Sequence, residues 1–368
     1  MKIILTGGGT AGHVTPALAI AELFRQNIPS SKILYVGTPT GMERRLVKEA
    51  GYPYHAIEAS GFYRSLTPRN LRSAWLALTS PQKAKKLLKN YEPDLVIGTG
   101  GYVSWPVLSA ATALGLPTAL HESNAIPGLT VRRLAGRVDL VLLNFIEAQA
   151  HLPKARRIEH VGNPLRGGFS HPERDTARKR LGIPEEARLT VSFGGSLGSE
   201  ALNHAMIGLF SRYTLESPTA WHIHGTGTRY FREFEAEVTK AFGALPERIR
   251  FSAYLSDMPT LMAAADLLIC RAGAMTVSEI ARVGRASILI PSPHVAEDHQ
   301  TKNAMVLANS GAAILLPEHL LTEERLTNDV RSVLEDALYQ RRIETAASAF
   351  DIPDANKRVY ESLVSIIK

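Results

Sequence analysis

A histidine directly after a glycine turn is the first group in this chain placed to take a proton. The run Ile3-Ile4-Leu5 leads into Gly7-Gly8-Gly9-Thr10-Ala11-Gly12, and His13 follows. An apolar strand, then glycines, then a helix is how an α/β unit sets backbone N–H groups against a phosphate. Imidazole titrates near neutral pH and can act there as a general base. The same residues fit a plainer arrangement: glycines for close packing and a histidine hydrogen-bonded at a helix start. A dinucleotide site would add an acidic residue at the end of the second strand. Val36-Gly37-Thr38-Pro39-Thr40 has none.

Three further segments carry chemistry-bearing residues. Gly194-Gly195-Ser196-Leu197-Gly198 follows the apolar run 189–193 and repeats the strand-to-glycine pattern. Cys270-Arg271-Ala272-Gly273-Ala274-Met275-Thr276-Val277-Ser278-Glu279 leads from a strand into small residues, with a helix expected from about Thr276. Its N-terminal amides suit a phosphate, and Glu279, one turn in, suits a vicinal diol such as ribose. Thr276-x-x-Glu279 also reads as a simple capping box. The fourth segment, 291–303, holds His294, Glu297, Asp298, His299, Gln300 and Asn303. Its histidines are five apart, whereas a helical H-x-x-E-H metal site needs them four apart. A polar loop contacting sugar is the expectation, and no metal or other cofactor is expected.

These segments need a scaffold of alternating strands and helices. Strands are expected over 2–6, 33–36, 95–98, 118–121 and 140–143, with helices from about Pro16, Met42, Pro68, Val103 and Pro127. The pattern restarts after Val161-Gly162-Asn163-Pro164, with strands over 189–193, 221–224, 249–252, 267–270, 287–290 and 313–316 and a last helix over 356–367. Such alternation means parallel sheets with right-handed crossovers. At 368 residues, two domains are the default. The single Cys270 excludes an internal disulfide and fits a reducing compartment. Between Asp94 and His121 no side chain is charged, but Gly98, Gly100, Gly101, Pro106, Gly115 and Pro117 divide the stretch. A buried strand and helix are expected there, not a membrane span.

Charge is uneven. Residues 1–160 hold 19 Lys/Arg against 10 Asp/Glu, and the remainder holds 23 against 25. No acid lies between Glu58 and Glu92, while Arg64, Arg69, Arg72, Lys83, Lys85, Lys86 and Lys89 do. Within 70–79, Leu71, Ala74, Trp75 and Leu78 share a helical face, after Phe62, Tyr63 and Leu66. An apolar face rimmed by cations is the design of an interfacial helix on an anionic bilayer. An ordinary amphipathic helix on the sheet, with solvated lysines, has the same pattern. Charge without a recognition motif does not argue for nucleic acid.

Taken together, the order and spacing of these blocks resembles the MurG family of peptidoglycan N-acetylglucosaminyltransferases over nearly the whole chain. The blocks are 7–13, Gly100-Gly101-Tyr102-Val103-Ser104, His121-Glu122-Ser123-Asn124, Gly162-Asn163-Pro164, 194–198, 271–279 and His299-Gln300 with Asn303. The resemblance implies an α/β GT-B fold, two Rossmann-like doubly wound domains facing a cleft. They would span 1–161 and 162–345, with 346–368 returning to the first. It implies inverting transfer of GlcNAc from UDP-GlcNAc to the C4 hydroxyl of MurNAc in lipid I, giving lipid II, at the cytoplasmic face of the bacterial cell membrane. By match of motif, Ser196, Ala274, Met275 and Thr276 would hold the donor diphosphate and Leu255 the uracil. Glu279 would bind the ribose, and Gln300 and Asn303 the sugar. Thr10, Ala11, Gly12, Asn124 and Arg166 would line the other side. His13 is the first candidate for the catalytic base and Glu122 the second. The lipid-linked acceptor favours the membrane reading of Phe62, Arg72, Trp75, Leu78, Lys83, Lys85 and Lys86.

The chain departs from the family pattern at Ala11, Trp105 and Leu197. A Cβ at residue 11 would cost roughly 1–2 kcal/mol if φ there must be positive. Two rival readings are a GT-B enzyme acting on another lipid and a non-catalytic nucleotide-sugar-binding protein.

Overall fold

In the computed structural model, residues 1–61, 68–165, 167–169 and 173–367 are described. They form two compact units, Met1–Leu165 together with Ile352–Lys368, and Arg166–Asp351.

The first unit starts with β1 (Lys2–Thr6), α1 (Ala11–Asn27), β2 (Lys32–Gly37), α2 (Met42–Glu49) and β3 (Tyr54–Ala56). It continues with α3 (Pro68–Tyr91), β4 (Leu95–Gly98), α4 (Ser104–Ala113), β5 (Thr118–Glu122), α5 (Leu129–Leu134), β6 (Leu140–Leu143) and β7 (Ile158–His160). The strands order as β3-β2-β1-β4-β5-β6-β7, and every pairing is parallel. Side chains alternate between two buried layers, as the pleat requires. Ile3, Leu5, Leu95 and Ile97 face one layer with Val14, Ile20 and Phe24 of α1. Ile4, Val96 and Val141 face the other with Leu88 of α3, Val107 and Leu108 of α4 and Leu134 of α5. A sheet covered on both faces explains the uncharged stretch before His121. Among the described residues no helix is long and apolar enough to cross a membrane.

The second unit holds α6 (Arg174–Leu181), β8 (Arg188–Phe193), α7 (Glu200–Leu209), β9 (Ala220–Gly225), α8 (Phe231–Phe242), β10 (Ile249–Ser252) and α9 (Met258–Ala264). After these come β11 (Leu267–Cys270), α10 (Ala274–Val283), β12 (Ala286–Leu289), α11 (His299–Asn309), β13 (Ile314–Leu315), α12 (Glu323–Leu334) and α13 (Ala337–Ser348). Its strand order is β10-β9-β8-β11-β12-β13. Leu267, Ile269 and Ile288 pack with Met206 of α7, Phe234 of α8, Val330 of α12 and Ile343 of α13. The chain then crosses back, and α14 (Ala355–Val364) packs in the first unit. Val359 and Leu363 are fully buried beside α1, each contributing about 1.5–3 kcal/mol by burial. Phe24 and Tyr360 meet edge to face at 5.3 Å.

Each sheet reverses its strand order once, at β1/β4 and at β8/β11. Open α/β sheets bind ligands at the carboxyl ends of strands beside such reversals, and the glycine turns after β1 and β8 lie there.

Candidate functional site

Around the first reversal, α1 begins at Ala11 with Thr10 as its N-cap, five residues before the start expected near Pro16. His13 is thereby a helical residue in the first turn. Its Nδ1 lies 3.0 Å from the carbonyl of Gly8 and 3.2 Å from Thr10 Oγ1. A carbonyl can only accept, so Nδ1 carries the hydrogen and Nε2 the basic lone pair. The ring lies over the turn after β4. A Cβ on Gly100 would stand 2.8 Å from His13 Cδ2, and one on Gly101 3.1 Å from Nδ1. Both glycines have positive φ, 101° and 76°. The His13 carbonyl accepts from Thr99 Oγ1 at 2.6 Å. Ala11 carries no strain, because the positive φ of this loop falls on Gly9.

Glu122 ends β5 and is 2 % exposed. Its Oε1 accepts from the backbone N of Asn124 at 2.9 Å and from Asn124 Nδ2 at 3.0 Å, and its Oε2 accepts from Gly128 N at 3.1 Å. The carboxylate therefore closes the 123–128 turn and aims Asn124. Its neighbour His121 is fully buried and donates from Nε2 to Gly162 O at 3.0 Å. Burial pushes that imidazole down to about 4, which keeps it neutral.

Around the second reversal, α10 starts at Ala274 with Gly273 as N-cap. The alternative reading as a capping box does not hold, since Thr276 is already the third helical residue. Gly273 brings no side chain, and the first turn holds no acid, so the positive end of the helix is not neutralised by an acid of its own first turn. Glu279 lies one turn further along, partly exposed. The loop after β8 turns on Gly195 (φ 91°) and Gly198 (φ 87°). Gly198 abuts Gly227: a Cβ on Gly198 would stand 3.0 Å from the Cα of Gly227. Ser196 is exposed, and its carbonyl accepts from Thr228 N at 3.3 Å. Leu197 is exposed to 65 %. Leu255 packs on Gly225 at the end of β9, 2.9 Å from where a Cβ would stand. Gln300 Oε1 accepts from Ser292 N at 2.9 Å, which leaves its amide hydrogens as donors.

Comparison with known proteins decides the lineage. Residues 3–143 match the glycosyltransferase family 28 N-terminal domain and residues 190–359 its C-terminal domain. The UDP-N-acetylglucosamine–N-acetylmuramyl-(pentapeptide) pyrophosphoryl-undecaprenol N-acetylglucosamine transferase of Acetivibrio thermocellus is 39% identical over 100% of this chain and 99% of its own length. The enzyme of that name from Desulforudis audaxviator is also 39% identical, over 100% of this chain and 98% of its own. The crystal structure of Acinetobacter baumannii MurG superposes with a TM-score of 0.79 at 28% identity, covering 99% of both chains. The chain belongs to the MurG family.

Not every residue assigned by motif lines an open surface. Asn303 is fully buried and donates to the carbonyl of Ala272 at 3.3 Å, so in this structure it supports the turn that starts α10. Phe62 and Arg166 lie outside the described residues. On α3, Leu71, Trp75 and Leu78 are exposed to 75 %, 58 % and 79 %. The opposite face, Ser73, Leu76, Ser80, Ala84 and Leu88, is buried. The apolar stripe thus points outward, with Arg72 and Lys86 exposed and Lys83 paired to Glu58 at 3.2 Å. The helix continues past Thr79 to Tyr91, through Pro81. Proline has no N–H for the carbonyl four residues back. That carbonyl, of Ala77, accepts instead from Trp105 Nε1 at 3.1 Å. Trp105 therefore repairs the helix that carries the stripe.

Two features of the second unit escaped sequence reading. Arg271 donates to the carbonyls of Ile290 and Pro291, both at 3.0 Å, to Ser199 Oγ at 2.6 Å and to Glu318. It ties the loops after β8 and β12 together. Beneath them lies a buried polar relay. Asn203 Nδ2 donates to Thr226 O at 3.0 Å, so its Oδ1 must accept from His224 Nε2, 3.1 Å away. His224 Nδ1 then accepts from Ser192 Oγ at 2.7 Å, and Ser192 accepts from His222 Nε2 at 2.7 Å. Their only sequence signal is the alternation of polar with apolar residues in a strand that is otherwise core.

Proposed function

We propose that the chain transfers GlcNAc from UDP-GlcNAc to the C4 hydroxyl of MurNAc in lipid I, with inversion, giving lipid II. The observation that carries this reading is the full-length match to enzymes named for that transfer, with an imidazole in the first turn after one strand reversal and a helix whose first turn holds no acid at the other. The hydroxyl oxygen attacks C1 as the C1–O bond to the diphosphate breaks. His13 Nε2 takes the hydroxyl proton, and the bonding pair leaves with UDP. Asn124, aimed by Glu122, Thr10 and the first-turn residues Ala11 and Gly12 contact the acceptor, with Arg166. The amides of Ala274, Met275 and Thr276 and the Ser196 loop meet the charge growing on the diphosphate. Glu279 accepts from the ribose hydroxyls, Leu255 contacts uracil, and Gln300 contacts the sugar, while the buried Asn303 holds the turn before α10. UDP release should require a lipid I analogue. Equal release without acceptor would sink the transferase reading.

The enzyme works peripherally at the cytoplasmic face of the bacterial cell membrane, through the outward stripe of α3. Large apolar side chains exposed in a row, rimmed by cations, suit an anionic lipid surface. Replacing Arg72, Trp75, Lys83, Lys85 and Lys86 with neutral polar residues is expected to weaken binding to anionic vesicles. Turnover of a short-chain soluble acceptor should persist. Wild-type vesicle binding should also fall with salt. Lost soluble-acceptor turnover with vesicle binding intact would reverse the assignment.

A further inference from the structure

The glycine turn after β1 already holds an anion, and the protein supplies it. Glu43, in the first turn of α2, is fully buried. Its Oε1 accepts from Thr38 N at 2.9 Å and Thr38 Oγ1 at 2.5 Å, and its Oε2 lies 3.4 Å from Gly9 N. Three glycines make room for it. A Cβ on Gly8 would stand 2.7 Å from Glu43 Cδ and one on Gly37 2.8 Å from Cγ, and one on Gly41 would overlap Oε1. The second strand lacks the carboxylate of a dinucleotide site, and a residue 34 positions beyond Gly9 fills the loop from inside. The charge is felt nearby: burial first, and then Glu43, pushes the hydroxyls of Tyr35 and Tyr54 up.

The bond to Gly9 N has a particular geometry. That N–H and the carbonyl of Gly8 belong to one peptide group, and in a trans peptide they point in opposite directions. Glu43 grips one end while His13 Nδ1 grips the other at 3.0 Å. No side chain of either glycine hinders rotation of this unit. The adjacent Gly7 carbonyl is held by Tyr35 Oη at 2.8 Å. A turned Gly8–Gly9 unit would present N–H to His13 and favour the opposite tautomer, with the hydrogen on Nε2.

We propose that Glu43 is a positioning residue for the transfer, locking the Gly8–Gly9 peptide so that the lone pair of His13 stays on Nε2. The proposal rests on His13 being the base. Glu43→Gln is nearly isosteric but must aim an NH2 at either Thr38 or Gly9, where a donor already stands. The full-length protein carrying Glu43→Gln is expected to lose roughly 10–100-fold in kcat, as when a group behind a working histidine is removed. The KM for UDP-GlcNAc should hardly change. The 15N resonances of His13 should move from Nδ1–H toward Nε2–H. In a His13→Ala background Glu43→Gln should cause no further loss. Unchanged His13 resonances, or an equal loss without His13, would overturn the proposal. Should Glu43→Gln fail to fold, Gly8→Ala pushes the carboxylate off Gly9 without removing its charge and should give the same resonance shift. The resonances report the grip whatever His13→Ala does to turnover, so failure of the base assignment is read separately.

Discussion

Replacing His13 with alanine is expected to lower kcat by about 10²–10⁴-fold, the usual worth of a general base, with UDP-GlcNAc affinity little changed. The geometry around the imidazole supports that role. Its Nδ1 hydrogen is spent on Gly8, and Gly100 and Gly101 lack the side chains that would displace the ring. Glu122 is built differently, with both carboxylate oxygens accepting backbone or amide hydrogens of its own turn. Glu122→Ala should therefore disturb Asn124 and acceptor KM more than the proton transfer. Measuring kcat and donor affinity for both variants separates the roles. A His13 variant turning over normally, beside a Glu122 variant crippled in kcat alone, would move the base to Glu122.

The second large effect concerns acid. His121, His222 and His224 are fully buried, and burial pushes His121 down to about 4 and His224 to about 3, with His222 also well below its ordinary value. Such a residue stays neutral while folded and takes a proton only on unfolding. Stability is therefore full above the unfolded value of about 6.5 and falls as pH drops below it, by up to about 1.4 kcal/mol per pH unit for each histidine. Two of the three sit in β9. The second unit should lose stability about twice as steeply as the first between pH 6.5 and 5, before most carboxylates titrate. Hydrogen exchange of β9 and β5 peptides across that range measures both slopes. A flat response in β9 would refute the neutral relay.

Much of the scaffold was legible because apolar runs flanked by glycine are strong local signals. β1, β4, β6, β8, β10 and β11 lie where sequence places them. The edge strands β3 and β7 were not legible, since each is three residues long and partly exposed. The full length of α3 was not legible, because the carbonyl that Pro81 leaves without a helical partner is met by the distant Trp105. The glycine turns and His13 were visible as motifs. Their ambiguity between packing and chemistry was not resolvable locally, because Glu43 and the pair Gly100-Gly101 reach the turn from far along the chain. Helix starts were misplaced for a related reason. Proline and threonine mark starts by propensity, but the backbone after β1 and β11 enters α1 and α10 earlier, at Ala11 and Ala274.

The return of α14 also sets an order of assembly during synthesis. Val359, Leu363 and Tyr360 complete the core around α1, and Asn356 exchanges two 2.9 Å hydrogen bonds with the backbone of Leu165. The half made first by the ribosome therefore waits, with an apolar surface of α1 uncovered, until residues beyond 351 have emerged. The half made second has its full set of strands and helices by then and can close ahead of it. A nascent chain arrested once residue 351 has cleared the ribosome would present all of the second unit while the first still lacks α14, leaving that surface of α1 uncovered.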